Sequence, residues 1–334
     1  MSSQSLGLLR SRAPARSDHL NAAARRALGG LLPLLDDPAL RDLLVQVRGG
    51  AAELWLDRDG SLLEVPEWTA TPEAVHRLAR DLIAAGGRHL DELHPCADVQ
   101  LGDGIRVHAV LPPISVSGAA VSIRLPRVEV LGFDELVGAG LCGSATDERL
   151  RREVGLRRNL LITGGTGSGK TTVLAALMDL AGEHERVITI EDVAELRLKH
   201  PHVVALESRQ ANIEGAGEIA VDRLLREALR MRPDRIVLGE CRGAEIATLL
   251  AALNTGHDGG AGTLHASRLS DVPARLEALG ALAGMEDRAL GRQVVSALHT
   301  IVHVERQNGG HRIAALGKLF LSPQGTLSIE KLAL

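Results

Sequence analysis

Residues 160–172 read LLITGGTGSGKTT: an apolar run, Leu160-Leu161-Ile162, then Gly164 to Thr172, followed by a helix-like stretch from Val173 to Ala181. A buried strand that runs through a glycine loop into a helix is the context in which a phosphate-binding loop works. Gly164, Gly165, Gly167 and Gly169 let backbone N–H groups turn inward with no Cβ in the way, while Thr166 and Ser168 complete the loop. Lys170 supplies a mobile positive charge for β- and γ-phosphates. Thr171 offers a hydroxyl to Mg²⁺, Thr172 continues the turn, and the helix N-terminus adds its dipole. The segment predicts binding of a nucleoside triphosphate, with ATP and Mg²⁺ as cofactors.

The surrounding chain restricts what that energy serves. A length of 334 residues suggests two domains. A hydrophobic share of 45% with 24% charged residues is ordinary for a globular protein. No apolar run approaches the length of a membrane-spanning helix, and the first residues carry no secretory signal pattern. Cys96, Cys142 and Cys241 are isolated, which argues against a disulfide framework or a zinc site and fits a reducing cytoplasm. A net charge of −4, with no Tyr, 2 Phe and 2 Trp, is a poor footprint for gripping nucleic acid.

The pattern along the chain predicts a short mobile arm and helical segment over 1–38, then a small α+β domain over 39–126. Within it, Asp59-Gly60 and Asp103-Gly104 mark hairpin turns. Thr71-Pro72 opens a helix that carries Val75, Leu78, Ala79, Leu82 and Ile83 at helical spacing and ends at Gly86-Gly87. Residues 127–149, rich in Gly, Ser and Asp, read as a linker. From 150 to 334, apolar strands alternate with helices, the signature of a parallel α/β sheet. Strands are expected at 159–163, 186–190, 202–206, 235–239 and 261–265. Helices are expected at 170–182, 221–231, 243–254 and 271–283, with a β-rich tail from 299.

Two of these strands end in acids. ITIEDVAEL gives Glu191, Asp192 and Glu195, and RIVLGECRG gives Glu240. Ligands of open parallel sheets bind at the carboxyl ends of strands, where such acids would meet the phosphate loop. A third segment, TGHDGGAGTLHASR, sets His257 and His265 among glycines, where an imidazole could donate to a γ-phosphate. No cysteine lies nearby, so zinc is not indicated.

The ordered segments GGTGSGKTT, ITIEDVAELRL, LRMRPDRIVLGECRGAE and NTGHDGGAGTLHA resemble the Walker A, Asp box, Walker B and His box of the type II/type IV secretion ATPase superfamily. The wording is closest to its tight-adherence pilus and conjugal-transfer branch. PHVVALESRQANIEG (201–215), GFDELVGAG (132–140) and GDGIRVHAVLPPISVSGAAVSIR (102–124) fit the same branch, so the likeness covers about residues 40–305. The resemblance implies a RecA-like P-loop core with a parallel sheet, preceded by a smaller α+β, PAS-like N-terminal domain, and assembly as a homo-hexamer.

By motif position, the resemblance implies that Thr171 and Glu191 organise Mg²⁺, that Glu240 polarises the attacking water and that His265 senses the γ-phosphate, His257 being a second candidate. It implies that Arg106 and Arg124 close over the phosphates from the N-terminal domain, and that one of Arg230, Arg232 and Arg242 acts across a subunit boundary. The implied function is an ATP-hydrolysing motor at the inner face of the cytoplasmic membrane. It would drive pilus assembly or transfer through an integral membrane platform protein, with membrane association through partners and no direct contact to nucleic acid. A DNA-translocating motor of a conjugation system is the alternative. Cys241 departs from the branch, which has an aliphatic residue there, and no tetracysteine zinc element is present. About forty residues precede the matched region, where relatives often carry a longer segment.

Overall fold

The computed structural model describes residues 15–58, 60–102, 104–126, 131–209, 216–307 and 310–333. Asp59 and Asp103 of the two expected turns, and the first residues of the expected arm and linker, lie outside this set. The chain divides into two units, Met1–Val128 and Glu129–Leu334.

The first unit is built on six antiparallel strands: β1 (Leu40–Arg48), β2 (Ala51–Arg58), β3 (Ser61–Glu64), β4 (Cys96–Leu101), β5 (Ile105–Val110) and β6 (Ala120–Arg124), in the order β3-β2-β1-β6-β5-β4. Alternate residues Val45, Val47, Leu54, Val107, Val121 and Ile123 are buried in one apolar core, the period-2 pattern of a sheet covered on one face. The helices α1 (Ala22–Leu28) and α2 (Pro72–Ala85) cover that face. Helix α2 starts as its sequence requires: Thr71 accepts the Ala74 N–H at 3.2 Å and Pro72 occupies the first turn.

Residues 15–36 fall in the span expected as a mobile arm and short helical segment; α1 lies there, and the whole stretch is part of this unit. Leu20, Ala24, Leu28, Leu31 and Leu35 enter its core. Arg16, 7% exposed, donates to the carbonyls of Leu35 (3.0 Å), Asp37 (2.8 Å) and Pro126 (2.7 Å). A buried guanidinium must spend its donors on acceptors, and here it ties residue 16 to Pro126, 110 positions along the chain.

The second unit carries an eight-stranded sheet: β7 (Leu160–Gly164), β8 (Val187–Glu191), β9 (Val203–Glu207), β10 (Arg235–Cys241), β11 (Ala261–His265), β12 (Thr300–Gln307), β13 (Gly310–Leu321) and β14 (Leu327–Lys331). Their order is β14-β13-β12-β7-β11-β10-β8-β9. From β12 to β9 every neighbouring pair is parallel, while β13 and β14 add an antiparallel edge. The parallel strands are apolar on both faces, as their short hydrophobic runs predicted. Leu161, Ile188, Ile190, Ile236, Leu238 and Leu264 enter one core with α6 (Val221–Ala228), α7 (Glu245–Leu253), α8 (Val272–Leu282) and α9 (Asp287–Ala297). Leu160, Ile162, Val187, Val237 and Val302 enter the other with α3 (Phe133–Gly138), α4 (Ser144–Gly155) and α5 (Lys170–Met178). This is the parallel α/β sheet expected from 150 onward, with helices on both faces.

The expected linker is only partly one. Helices α3 and α4 fall within 127–149 or begin there, and they bury Phe133, Leu136, Leu150 and Val154 in the second core. Its Gly- and Ser-rich composition reads as a connection because glycines supply both N-caps, Gly132 and Gly143.

Candidate active site

Every parallel strand of the second unit points the same way, so the ends of β7, β8, β10 and β11 share one edge of the sheet. The glycine loop leaves β7 at that edge and passes into α5. Gly169 is the N-cap of α5, at φ +94° and with no side-chain cap, so the first-turn N–H groups are left for a ligand. Its missing Cβ also leaves room for a neighbour, since a methyl group there would sit 2.7 Å from Nδ1 of His311 on β13. Lys170 folds back over the loop and donates to the carbonyls of Gly164 (3.1 Å) and Gly165 (2.9 Å). Burial lowers its pKa, Glu240 draws it back up, and Arg242 lowers it further. Those two residues are therefore the charged neighbours of the phosphate-loop lysine.

Strand β11 lies between β7 and β10. Its last residue, His265, pairs with Gly164 in the parallel ladder, and the next residue, Ala266, donates its N–H to the Gly164 carbonyl at 3.3 Å. Glu240 stands near the end of β10, two strand spacings or about 10 Å across the sheet from β7. Its carboxylate takes both Nε and Nη2 of Arg242. The Thr263 hydroxyl donates to the Gly239 carbonyl at 2.6 Å and fixes the strand just before the acid.

Glu191 ends β8, one strand beyond β10, and is 6% exposed. Its carboxylate accepts the N–H groups of Glu195 and Leu196, each at 3.1 Å, and so caps the loop after the strand. Gly239 makes this possible, because a Cβ there would sit 2.5 Å from Glu191 Cγ. Burial raises Glu191 to about 7 against the pull of the Leu196 and Glu195 N–H groups. Asp192 is exposed and meets the Ser208 hydroxyl at 3.4 Å and Arg242 at 3.9 Å.

The model for the type II/IV secretion system protein family matches residues 34–313. The chain belongs to the type II/IV secretion system protein family. It is 45% identical over 290 residues to a putative conjugal transfer protein of Mycobacterium tuberculosis, covering 85% of this chain and 82% of that one. It is 32% identical over 284 residues to the conjugal transfer protein TrbB of Rhizobium radiobacter, covering 84% and 83%. Among solved structures, the pilus retraction motor PilT with bound ADP superposes with a TM-score of 0.60 at 23% identity, over 89% of this chain and 81% of that one. These likenesses put this secretion-family member near the conjugal-transfer branch, with a RecA-like core and a preceding domain.

In this family member the two N-terminal-domain arginines are neighbours. Arg106 and Arg124 are paired across β5 and β6, and Arg124 in turn faces Asp42 of β1, its Nε 3.1 Å from the carboxylate. All three lie on the sheet face away from the apolar core of that unit, where the Asp42 carboxylate offsets the charge of Arg124 beside Arg106.

His257 lies elsewhere. It precedes β11, so the length of the strand separates it from His265 and sets it at the opposite edge of the sheet, where Nδ1 lies 3.3 Å from the Ala252 carbonyl. Arg230 and Arg232 precede β10 and share that far edge. Arg230 is 3.9 Å from Glu227, and Arg232 is exposed with φ +54°. Of the three arginines around the Walker B strand, Arg242 alone stands beside Glu240 of its own chain.

Two site features escaped the sequence reading. His303 on β12 is 1% exposed, and its Nδ1 lies 2.9 Å from the hydroxyl of Thr163, the residue before the loop. His311 packs on Gly169 from β13. Both come from the tail, more than a hundred residues downstream, and only the strand order brings them to the loop.

Proposed function

We propose that this protein is an ATPase motor of a secretion or conjugal-transfer machine. The observation that carries the reading is the single sheet edge that gathers the glycine loop, Lys170, His265 and Glu240, with β11 between the loop strand and the acid strand. The loop amides, Gly164 to Thr172, hold the phosphates, with Lys170 leaving its loop carbonyls for phosphate oxygens. Glu240 accepts a proton from the attacking water as the bond to ADP breaks and phosphate forms. His265 donates to the γ-phosphate.

Thr171 and Glu191 are hard oxygen donors of the type Mg²⁺ takes. Glu191 is buried with its carboxylate on the Glu195 and Leu196 N–H groups, and a divalent cation bound there would offset its charge. Thr171 would hold the ion by its hydroxyl, and Glu191 directly or through a water of its shell. The ion supplies neutralisation of the phosphate charge. Arg106 and Arg124, side by side, are of the type that suits the charge developing on a transferred phosphoryl group.

The relatives named for conjugal transfer support a role in transfer of macromolecules by a membrane-bound machine. On this reading six copies form a ring at the inner face of the cytoplasmic membrane and push on an integral membrane platform protein. No helix among the described residues is long and apolar enough to cross a membrane. Glu240→Gln tests the site: turnover is lost while ATP binding persists. Hydrolysis at the wild-type rate would remove Glu240 from the mechanism. DNA-stimulated turnover with steep salt dependence would favour the DNA-translocating alternative.

A further inference from the structure

The backbone of Arg242 is pinned at the turn after β10 while its side chain reaches out into solvent. Its N–H and that of Gly243 both donate to the Glu245 carboxylate, at 2.5 and 2.7 Å, at the start of α7. Its side chain is 60% exposed and crosses back over the turn to Glu240, with Nη1 3.9 Å from Asp192. The guanidinium is thus shared between acids from two strand ends, β10 and β8. Both Glu240 and Arg242 influence the Lys170 ammonium, so the ion pair lies within charge range of the place where the β- and γ-phosphates are to sit.

An arginine fork binds phosphate as readily as carboxylate, in both cases by two parallel N–H···O bonds. A terminal phosphate beside Lys170 therefore competes with Glu240 for the same donors. We propose that Arg242 is a γ-phosphate-sensing positioning residue acting within its own subunit: it holds the Glu240 carboxylate until the γ-phosphate takes over its guanidinium, which frees Glu240 for the attacking water. The exchange swaps one ion pair for another and breaks no covalent bond. ADP, which lacks the competing group, leaves Arg242 on Glu240. The device makes the acid available only when there is something to hydrolyse. It rests on the reading of residues 164–172 as the nucleotide site.

Calorimetric binding of ADP and of a non-hydrolysable ATP analogue to the full chain tests it, in the wild type, Arg242→Ala, Glu240→Gln and the double variant. A ligand shifts such an equilibrium only by its differential affinity for the two arrangements. Glu240→Gln removes the competitor and tightens the analogue by about 5- to 10-fold, with ADP unchanged. Arg242→Ala loosens the analogue by about 10-fold, again with ADP unchanged. In the double variant the gain from Glu240→Gln disappears. Arg242→Lys keeps the charge without the fork and recovers only part of the preference for the analogue. A gain that persists without Arg242, or equal effects on ADP and the analogue, overturns the switch while leaving the nucleotide site intact. Failure of the folded wild type to bind ADP overturns both.

Discussion

His265 stands directly opposite Gly164 in the ladder between β11 and β7, so the backbone pairing that launches the phosphate loop also sets the height of this imidazole. His257 is on the same glycine-rich segment but at the other end of the strand.

This difference separates two substitutions. His265→Ala is expected to lower kcat by about 10²- to 10³-fold, the usual cost of removing one preorganised donor to a transition state, with ADP affinity retained. His257→Ala is expected to leave kcat within about twofold. Steady-state turnover of the two variants, side by side, decides it, and equal losses would mean that strand position does not separate their roles.

The buried carboxylate of Glu191 makes stability depend on pH. Its pKa is raised from 4.5 to about 7 in the folded chain. Between those values the folded state keeps a proton that the unfolded state has lost, so stability falls as pH rises through this window and the cost is complete above it. Glu191→Gln carries no such cost. It should gain on the wild type from about pH 5 to about pH 8, by on the order of 1–3 kcal/mol at the upper end. Urea unfolding at both pH values measures the gain, and a constant difference between the two proteins would contradict it.

Gly239→Ala places a methyl group 2.5 Å from Glu191 Cγ. The neighbour is a buried, hydrogen-bonded side chain with little room to retreat. The variant is expected to lose about 1–3 kcal/mol of stability and, as Glu191 shifts, most of its turnover. A variant with wild-type unfolding and wild-type kcat would show that the close approach is not needed.

Arg235, 1% exposed, donates to Glu185 through Nε (2.8 Å) and Nη2 (2.9 Å), and to the carbonyls of Gly259 and Val154. Arg235→Ala leaves Glu185 and two carbonyls short of partners and is expected to cost about 3–5 kcal/mol. Because this cluster sits at the edge of the sheet away from the glycine loop, the protein that remains folded should bind ADP with near wild-type affinity. Chemical denaturation with parallel nucleotide titration separates the two effects.

Five of the six parallel strands were legible because each is a short apolar run bounded by turns or charges, and Glu191 and Glu240 could be placed at strand ends for the same reason; β12 was read only as part of a β-rich tail, and its parallel pairing with β7 is set by the strand order. Helices α3 and α4 were not legible, since their apolar residues are few and lie among capping glycines. Of residues 1–38, the helical part was legible in the spacing of Leu20, Ala24 and Leu28, but the packing of residues 15–19 was not, because it turns on Arg16 and nothing local tells a buried arginine from a solvated one. His257 was grouped with His265 because the two are close in sequence, although a strand lies between them. Arg242 could be named but not assigned, as its partner is set by the turn after β10 rather than by any spacing rule.

The neighbours of β7 have a consequence for how the chain folds. The strand that launches the phosphate loop ends at residue 164, but it is flanked by β11 and β12, which begin at 261 and 300. Both of its edges must wait about a hundred residues or more for their partners during synthesis. Long-range parallel pairing of this kind is slow and leaves apolar strand edges open in the interval. A ribosome halted before residue 300 would therefore display the whole phosphate-loop motif with one side of β7 still unpaired, and the motif would become a site only when the tail emerges.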